Sequence, residues 1–129
     1  MSNPYRDALG HQPRVGKPKR RLNPSQKRAP KQERETALRL GGQRIPGSGA
    51  GDTKGDVRKM RVVRVETKTT KHKSFSVTLD MLHKIEEAAL SGGEAPVLLI
   101  EFNDGNGKPL GEVAVIPSYM LDEFCERHK

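Results

Sequence analysis

From Val63 to Lys68 uncharged and charged residues alternate with period two, and this stretch limits what the chain can fold into more than any other. A β-strand turns successive side chains to opposite faces, so Val63, Val65 and Thr67 share one face while Arg64, Glu66 and Lys68 share the other. One face can close on a core. The other holds an acid beside an amine on a rigid backbone, with a further cation two residues upstream. Asp56 lies ten residues before Glu66, and a turn between the two would bring a second carboxylate to the same place.

The chain has 129 residues, 33% of them hydrophobic and none of them Trp, which is material for one modest domain without a large buried cavity. A short helix is predicted from Gln32 to Leu40, starting after Pro30 and stopped by Gly41-Gly42. Glu33 falls on the stripe of Ala37 and Leu40, at i+4 and i+7, and Glu35 lies one turn from Leu38, so either glutamate can face inward. Residues 43–55, reading QRIPGSGAGDTKG, form a glycine-rich loop that lacks the GK[ST] ending of a phosphate-cradling loop. A strand pair follows: Val57 to Lys68, broken by a turn near Lys59, and then Ser74 to Val77. The next helix runs from Leu79 to Leu90, with apolar residues spaced by three or four, Thr78 as N-cap and Gly92-Gly93 as stop. Val97 to Phe102 reads as a buried strand, Asp104 to Gly107 as a hairpin turn, and Glu112 to Ile116 as the returning strand. Pro117-Ser118 opens a last helix through Glu126. This order predicts an α/β or α+β domain built on a central mixed sheet.

The net charge of +8 is unevenly placed. Residues 1–31 hold five prolines and nine Lys or Arg against one acid, Asp7. With no hydrophobic periodicity they are expected to form a disordered basic arm, and residues 32–129 the domain. Such an arm can displace counterions from phosphates or tether a protein partner. Residues 32–73 hold eleven basic and five acidic residues, whereas residues 74–129 hold four basic and ten acidic ones. The basic part is the part that carries Asp56, Glu66 and Lys68, which points that surface at a polyanion, nucleic acid first. The acidic part is an interface or a solvated face. No apolar run approaches the roughly 18 residues of a membrane span, and the N-terminus lacks the apolar core of a signal peptide, so a soluble, cytoplasmic protein is expected. The single cysteine, Cys125, cannot build a disulfide framework, and its spacing to His128 is a helix-end coincidence.

Hydrolysing a phosphodiester needs an activated water, charge neutralisation at the phosphate and stabilisation of the leaving oxygen, all of which metal ions supply. Magnesium prefers oxygen and is held by one or two carboxylates plus waters, so Asp56 and Glu66 are suitable ligands, with the Thr67 backbone carbonyl as a third oxygen. Lys68 would act as a point-charge donor to the phosphate or the attacking water. Arg44, Lys54, Arg58, Arg64, Lys71 and Lys73 are the candidate phosphate contacts around it. The alternative is an ordinary ion pair between Glu66 and Lys68, with Asp56 a turn residue after Gly55.

The series QERE at 32–35, R-x-P-G-S-G at 44–49, GDV at 55–57, VETKTT at 65–70 and APVLLIEF at 95–102 resembles the archaeal-type Holliday junction resolvases of the PD-(D/E)XK nuclease superfamily over about residues 31–120. The resemblance implies a restriction-endonuclease-like α/β core, in which a central mixed β-sheet is flanked by helices. It implies a Mg2+ site, open to Mn2+, on Asp56 and Glu66, with Lys68 catalytic, Glu33 as the helical glutamate (Glu35 its substitute) and Ser48 as an assisting serine. It further implies a homodimer acting on branched or double-stranded DNA, and the long basic arm, which compact archaeal members lack, points to a phage or bacterial relative. The first helix is shorter than is usual there, the loop from Ser48 to Asp56 is longer, and Gly55 stands where the superfamily name has proline. Nucleases of other specificity share the core. A non-catalytic DNA-binding or phage structural protein is the rival from another class.

Overall fold

The computed structural model describes residues 21, 23–46 and 56–129. The elements are α1 (Pro24–Leu40), β1 (Gln43–Arg44), β2 (Val57–Lys59), β3 (Val63–Thr70), α2 (Leu79–Ser91), β4 (Ala95–Asn103), β5 (Pro109–Val115) and α3 (Ser118–Arg127). The strands form one sheet in the order β1-β2-β3-β4-β5. β3 and β4 are parallel and joined by α2, while the other neighbours are antiparallel. This is the expected α/β architecture with a mixed sheet.

The two sheet faces are covered by different helices. On one, Ala37 of α1 packs with Val57, Val65 and Leu99, and Leu40, Val63 and Val97 close around them. On the other, α2 buries Ile85, Ala88 and Ala89 and packs against β3 and β4. Leu98 and Ile100 point to that second side by alternation, and both are buried. β4 is therefore covered twice, which is why its sequence is a nearly unbroken apolar run.

Helix α1 begins at Pro24, eight residues before the expected start, and passes through Pro30. The reason is its inward stripe. Arg28, Gln32 and Thr36, spaced by four, are all buried, and only then do Ala37 and Leu40 continue the contact. A polar stripe leaves no hydrophobic periodicity to detect. Arg28 Nε donates to Glu101 Oε1 at 2.6 Å and its Nη2 to Glu101 Oε2 at 2.9 Å, with Glu35 on its other side. That buried clamp holds the first turns against the sheet although Pro30 cannot donate a helical hydrogen bond. Residues 24–31, expected in the disordered arm, are thus part of the domain. Residues 1–20 lie outside the described residues.

At the other end Gly41 turns out of the helix with φ +67°, and the Gly42 amide donates to the Ala37 carbonyl at 2.8 Å. A Cβ on Gly42 would come within 2.6 Å of the Arg58 carbonyl oxygen, so the second glycine fixes how closely the helix end meets β2. The stretch read as loop then contributes β1, which pairs Arg44 with Val57.

Ser74–Val77 is not a strand; residues 74–78 run without strand pairing into α2. Both edges of β3 are already taken by β2 and β4, so the chain leaving it has no edge beside β3 to return to and must cross over. Thr78 caps α2 as expected, its Oγ1 accepting from the Met81 amide at 3.2 Å. The turn near Lys59 is present, with Arg61 at φ +63°. The hairpin between β4 and β5 is also present: Asp104 Oδ1 accepts from the amides of Asn106 (2.7 Å) and Lys108 (3.0 Å). The Lys108 and Asn106 amides hold its carboxyl below the usual range.

Candidate metal and phosphate site

β3 presents Glu66 and Lys68 on the face opposite the α1 core, with Lys68 Nζ 3.2 Å from Glu66 Oε1 and both partly exposed. Asp56 comes to the same stretch because β2 pairs Val57 with Val65. Its amide donates to the Val65 carbonyl at 2.8 Å. Its Oδ2 accepts from the Thr67 amide at 2.8 Å and from Thr67 Oγ1 at 3.0 Å. The carboxylate thus takes the hydrogen bond that a further strand residue would take. Amide and carbonyl of one strand residue point to the same edge, so the Thr67 carbonyl opens on the Asp56 side of β3.

Among the described residues no three His, Cys, Asp or Glu side chains converge. The donors that this stretch carries, the Asp56 and Glu66 carboxylates and the Thr67 carbonyl, are hard oxygens, the donor type that magnesium takes together with water and substrate oxygens, with Asp56 engaged by Thr67 and Glu66 by Lys68. Lys68 is held from behind: Gln32 Nε2, buried under the sheet, donates to the Lys68 carbonyl at 3.0 Å.

The two helical glutamates take different partners. Glu35 is tied to Arg28, whose guanidinium holds its carboxyl below the usual range. Glu33 accepts from Arg44 at 2.8 Å, and Arg44 sits in β1 beside Val57, the neighbour of Asp56. Val57 faces the α1 core, so Glu33 with Arg44 and Glu35 with Arg28 both lie on the α1 side of the sheet, opposite the face of Glu66 and Lys68, and the structure does not bring Glu33 to them. Ser48 and Lys54 lie outside the described residues.

The basic residues divide as well. Lys71 and Lys73 are exposed just past the end of β3, and Arg44 is exposed but paired with Glu33. Arg64, expected at a nucleic-acid surface, is instead buried: its Nε donates to Glu94 Oε1 at 2.9 Å. Arg58 Nε donates to Glu94 Oε2 at 2.8 Å and is about one-third exposed. Glu94 has no exposed side-chain surface and also accepts from the Arg61 amide at 3.1 Å. Burial opposes its charge, yet the hydrogen bonds from Arg58, Arg64 and the Arg61 amide hold its carboxyl below the usual range. The two arginines are spent on holding the start of β4 against β2 and β3.

Sequence reasoning missed Arg28, Gln32, Glu94 and Glu101. The signal for one was present, because Glu101 interrupts an apolar strand and a charge there must find a partner. Among the described residues no helix is long and apolar enough to cross a membrane. Comparison with protein-family models, with curated proteins and with solved structures finds no match to this chain.

Proposed function

We propose that the chain is a magnesium-dependent, structure-selective DNA endonuclease acting on four-way junctions or other branched DNA. The observation that carries this reading is the edge of β3, where Glu66 stands 3.2 Å from Lys68 and Asp56 is hydrogen-bonded to Thr67 between them. Asp56, Glu66 and the Thr67 carbonyl would hold the metal, which when bound supplies charge neutralisation at the phosphate and an activated water. Lys68 would steady the phosphate or the attacking water. Lys71 and Lys73 would meet the DNA backbone by charge, a mode that reads shape and not base edges. Residues 1–20 would add salt-dependent, sequence-independent affinity.

The test is cleavage of a synthetic four-way junction with and without magnesium, alongside flap and linear duplex at equal salt. A junction preference supports the reading; equal cutting of all three keeps the chemistry and removes the substrate.

One observation favours a second reading. An aspartate whose Oδ2 accepts from both the Thr67 amide and hydroxyl does what a purely structural carboxylate does at a strand edge. The domain would then bind DNA without cutting it, and the basic arm would supply the affinity. Deleting residues 1–20 separates the two: the binding module loses function, while the nuclease binds more weakly with its chemistry intact.

A further inference from the structure

Gln32 is 1% exposed and stands in the middle of the polar stripe that α1 turns to the sheet. Its Nε2 donates to the Lys68 carbonyl at 3.0 Å and reaches the Leu99 carbonyl at 3.5 Å. Among the described residues its Oε1 finds no donor. A buried amide oxygen left unpaired is destabilising, and a methionine would fill the same space without that cost. The two carbonyls depend little on the amide, because the β3–β4 register already pairs Lys68 with Ile100 and Thr67 with Leu99. As a device for global stability the side chain is therefore a poor choice. Its effect is local: it ties β3 to β4 at Lys68.

That point on β3 is where a tie matters. The register of β2 with β3 ends at Val65, and the hydrogen bond from the Thr67 amide to the Asp56 carboxylate continues it by one step. From Lys68 to Thr70 the register given by the described residues is with β4 alone. The Lys68 side chain leaves the face opposite α1 and is 37% exposed, so Gln32 acts on it through the backbone. The peptide that joins Thr67 to Lys68 also bears the carbonyl of the proposed metal site. We propose that Gln32 is a positioning residue for that site. From the α1 side it fixes the β3 backbone at Lys68, which keeps the Thr67 carbonyl and the Lys68 ammonium in place against the Asp56 and Glu66 carboxylates. A misplacement of about 1 Å at such groups slows a reaction on the order of 100-fold. The inference rests on the nuclease reading of this edge.

Gln32→Met keeps the volume and removes the donor. The variant is expected to unfold in urea at the wild-type midpoint or above it, and to bind a synthetic four-way junction without metal within about twofold of the wild type. In magnesium, at saturating enzyme, it should cut that junction about tenfold more slowly or worse. The backbone amides of residues 68–70 should exchange with deuterium faster than in the wild type, while those of residues 63–65 should not. A merely structural Gln32 would lower the unfolding midpoint and leave the rate of the folded fraction unchanged, and that result overturns the proposal. So does unchanged exchange at residues 68–70, since a slower rate would then have another cause. If Gln32→Met does not fold, Gln32→Leu takes its place, and failure of both assigns Gln32 to folding and overturns the positioning role. No magnesium-dependent cleavage by the wild type sinks the nuclease reading and this inference with it. Wild-type cleavage that Gln32→Met matches sinks the inference alone.

Discussion

Glu101 and Glu94 are the two acids whose loss of partners would be felt most. Glu101 is 2% exposed and Arg28 is its principal partner, a pair 73 residues apart in the chain. Removing one member leaves the other charge buried and unpaired, which costs about 3–5 kcal/mol. Arg28→Ala should therefore lower the urea unfolding free energy by that amount, and an unchanged midpoint would show that the clamp does not form. Glu94 gives a pH signature. Its carboxyl is held below the usual range in the folded state, so the unfolded chain binds more protons as pH falls. Its contribution is complete above the unfolded value of about 4.3 and is lost as pH drops through the lower folded value. Glu94→Gln should be less stable at pH 7, and its unfolding free energy should fall less steeply below about pH 4 than that of the wild type. Parallel pH profiles would contradict this.

The elements were legible to different degrees, and the difference has a physical origin. Strand β3, the N-cap of α2 and the hairpin after β4 are written in residues within a few positions of one another: Val63 to Lys68, Thr78 with Met81, Asp104 with Asn106 and Lys108. Local patterns of this sort survive any tertiary context. The start of α1 does not, because Arg28, Gln32 and Thr36 take the core positions and their partners come from strands far along the chain. Arg64 was misplaced for the same reason, since strand alternation says which face a side chain occupies but not whether a Glu94 covers it. The strand expected at 74–77 failed on topology, as β3 has no free edge. The junction of α1 and β2 offers a direct check. Gly42→Ala would drive a Cβ within 2.6 Å of the Arg58 carbonyl, a backbone atom that can move only with its strand. A loss of about 1–3 kcal/mol is expected by thermal unfolding, and a neutral substitution would mean that the helix end is not seated as described.

Taken together, the chain joins a basic half that carries the carboxylate and lysine edge to an acidic half that ends in an uncovered helix. On the proposed nuclease reading, the first half would meet the phosphate backbone. The candidate site was legible because Glu66 and Lys68 are neighbours on one strand face, whereas the position of Asp56 needed the β2 register and that of Ser48 lies outside the described residues. The central claim is chemical, and it rests on Asp56 and Lys68. Single-turnover cleavage of a synthetic four-way junction in magnesium, comparing the wild type with Asp56→Asn and Lys68→Ala at matched binding, tests it most directly. Each variant is expected to bind the junction with near wild-type affinity and to cut it on the order of 100-fold more slowly or worse. Wild-type cleavage by either variant, or no magnesium-dependent cleavage by the wild type, would contradict the account.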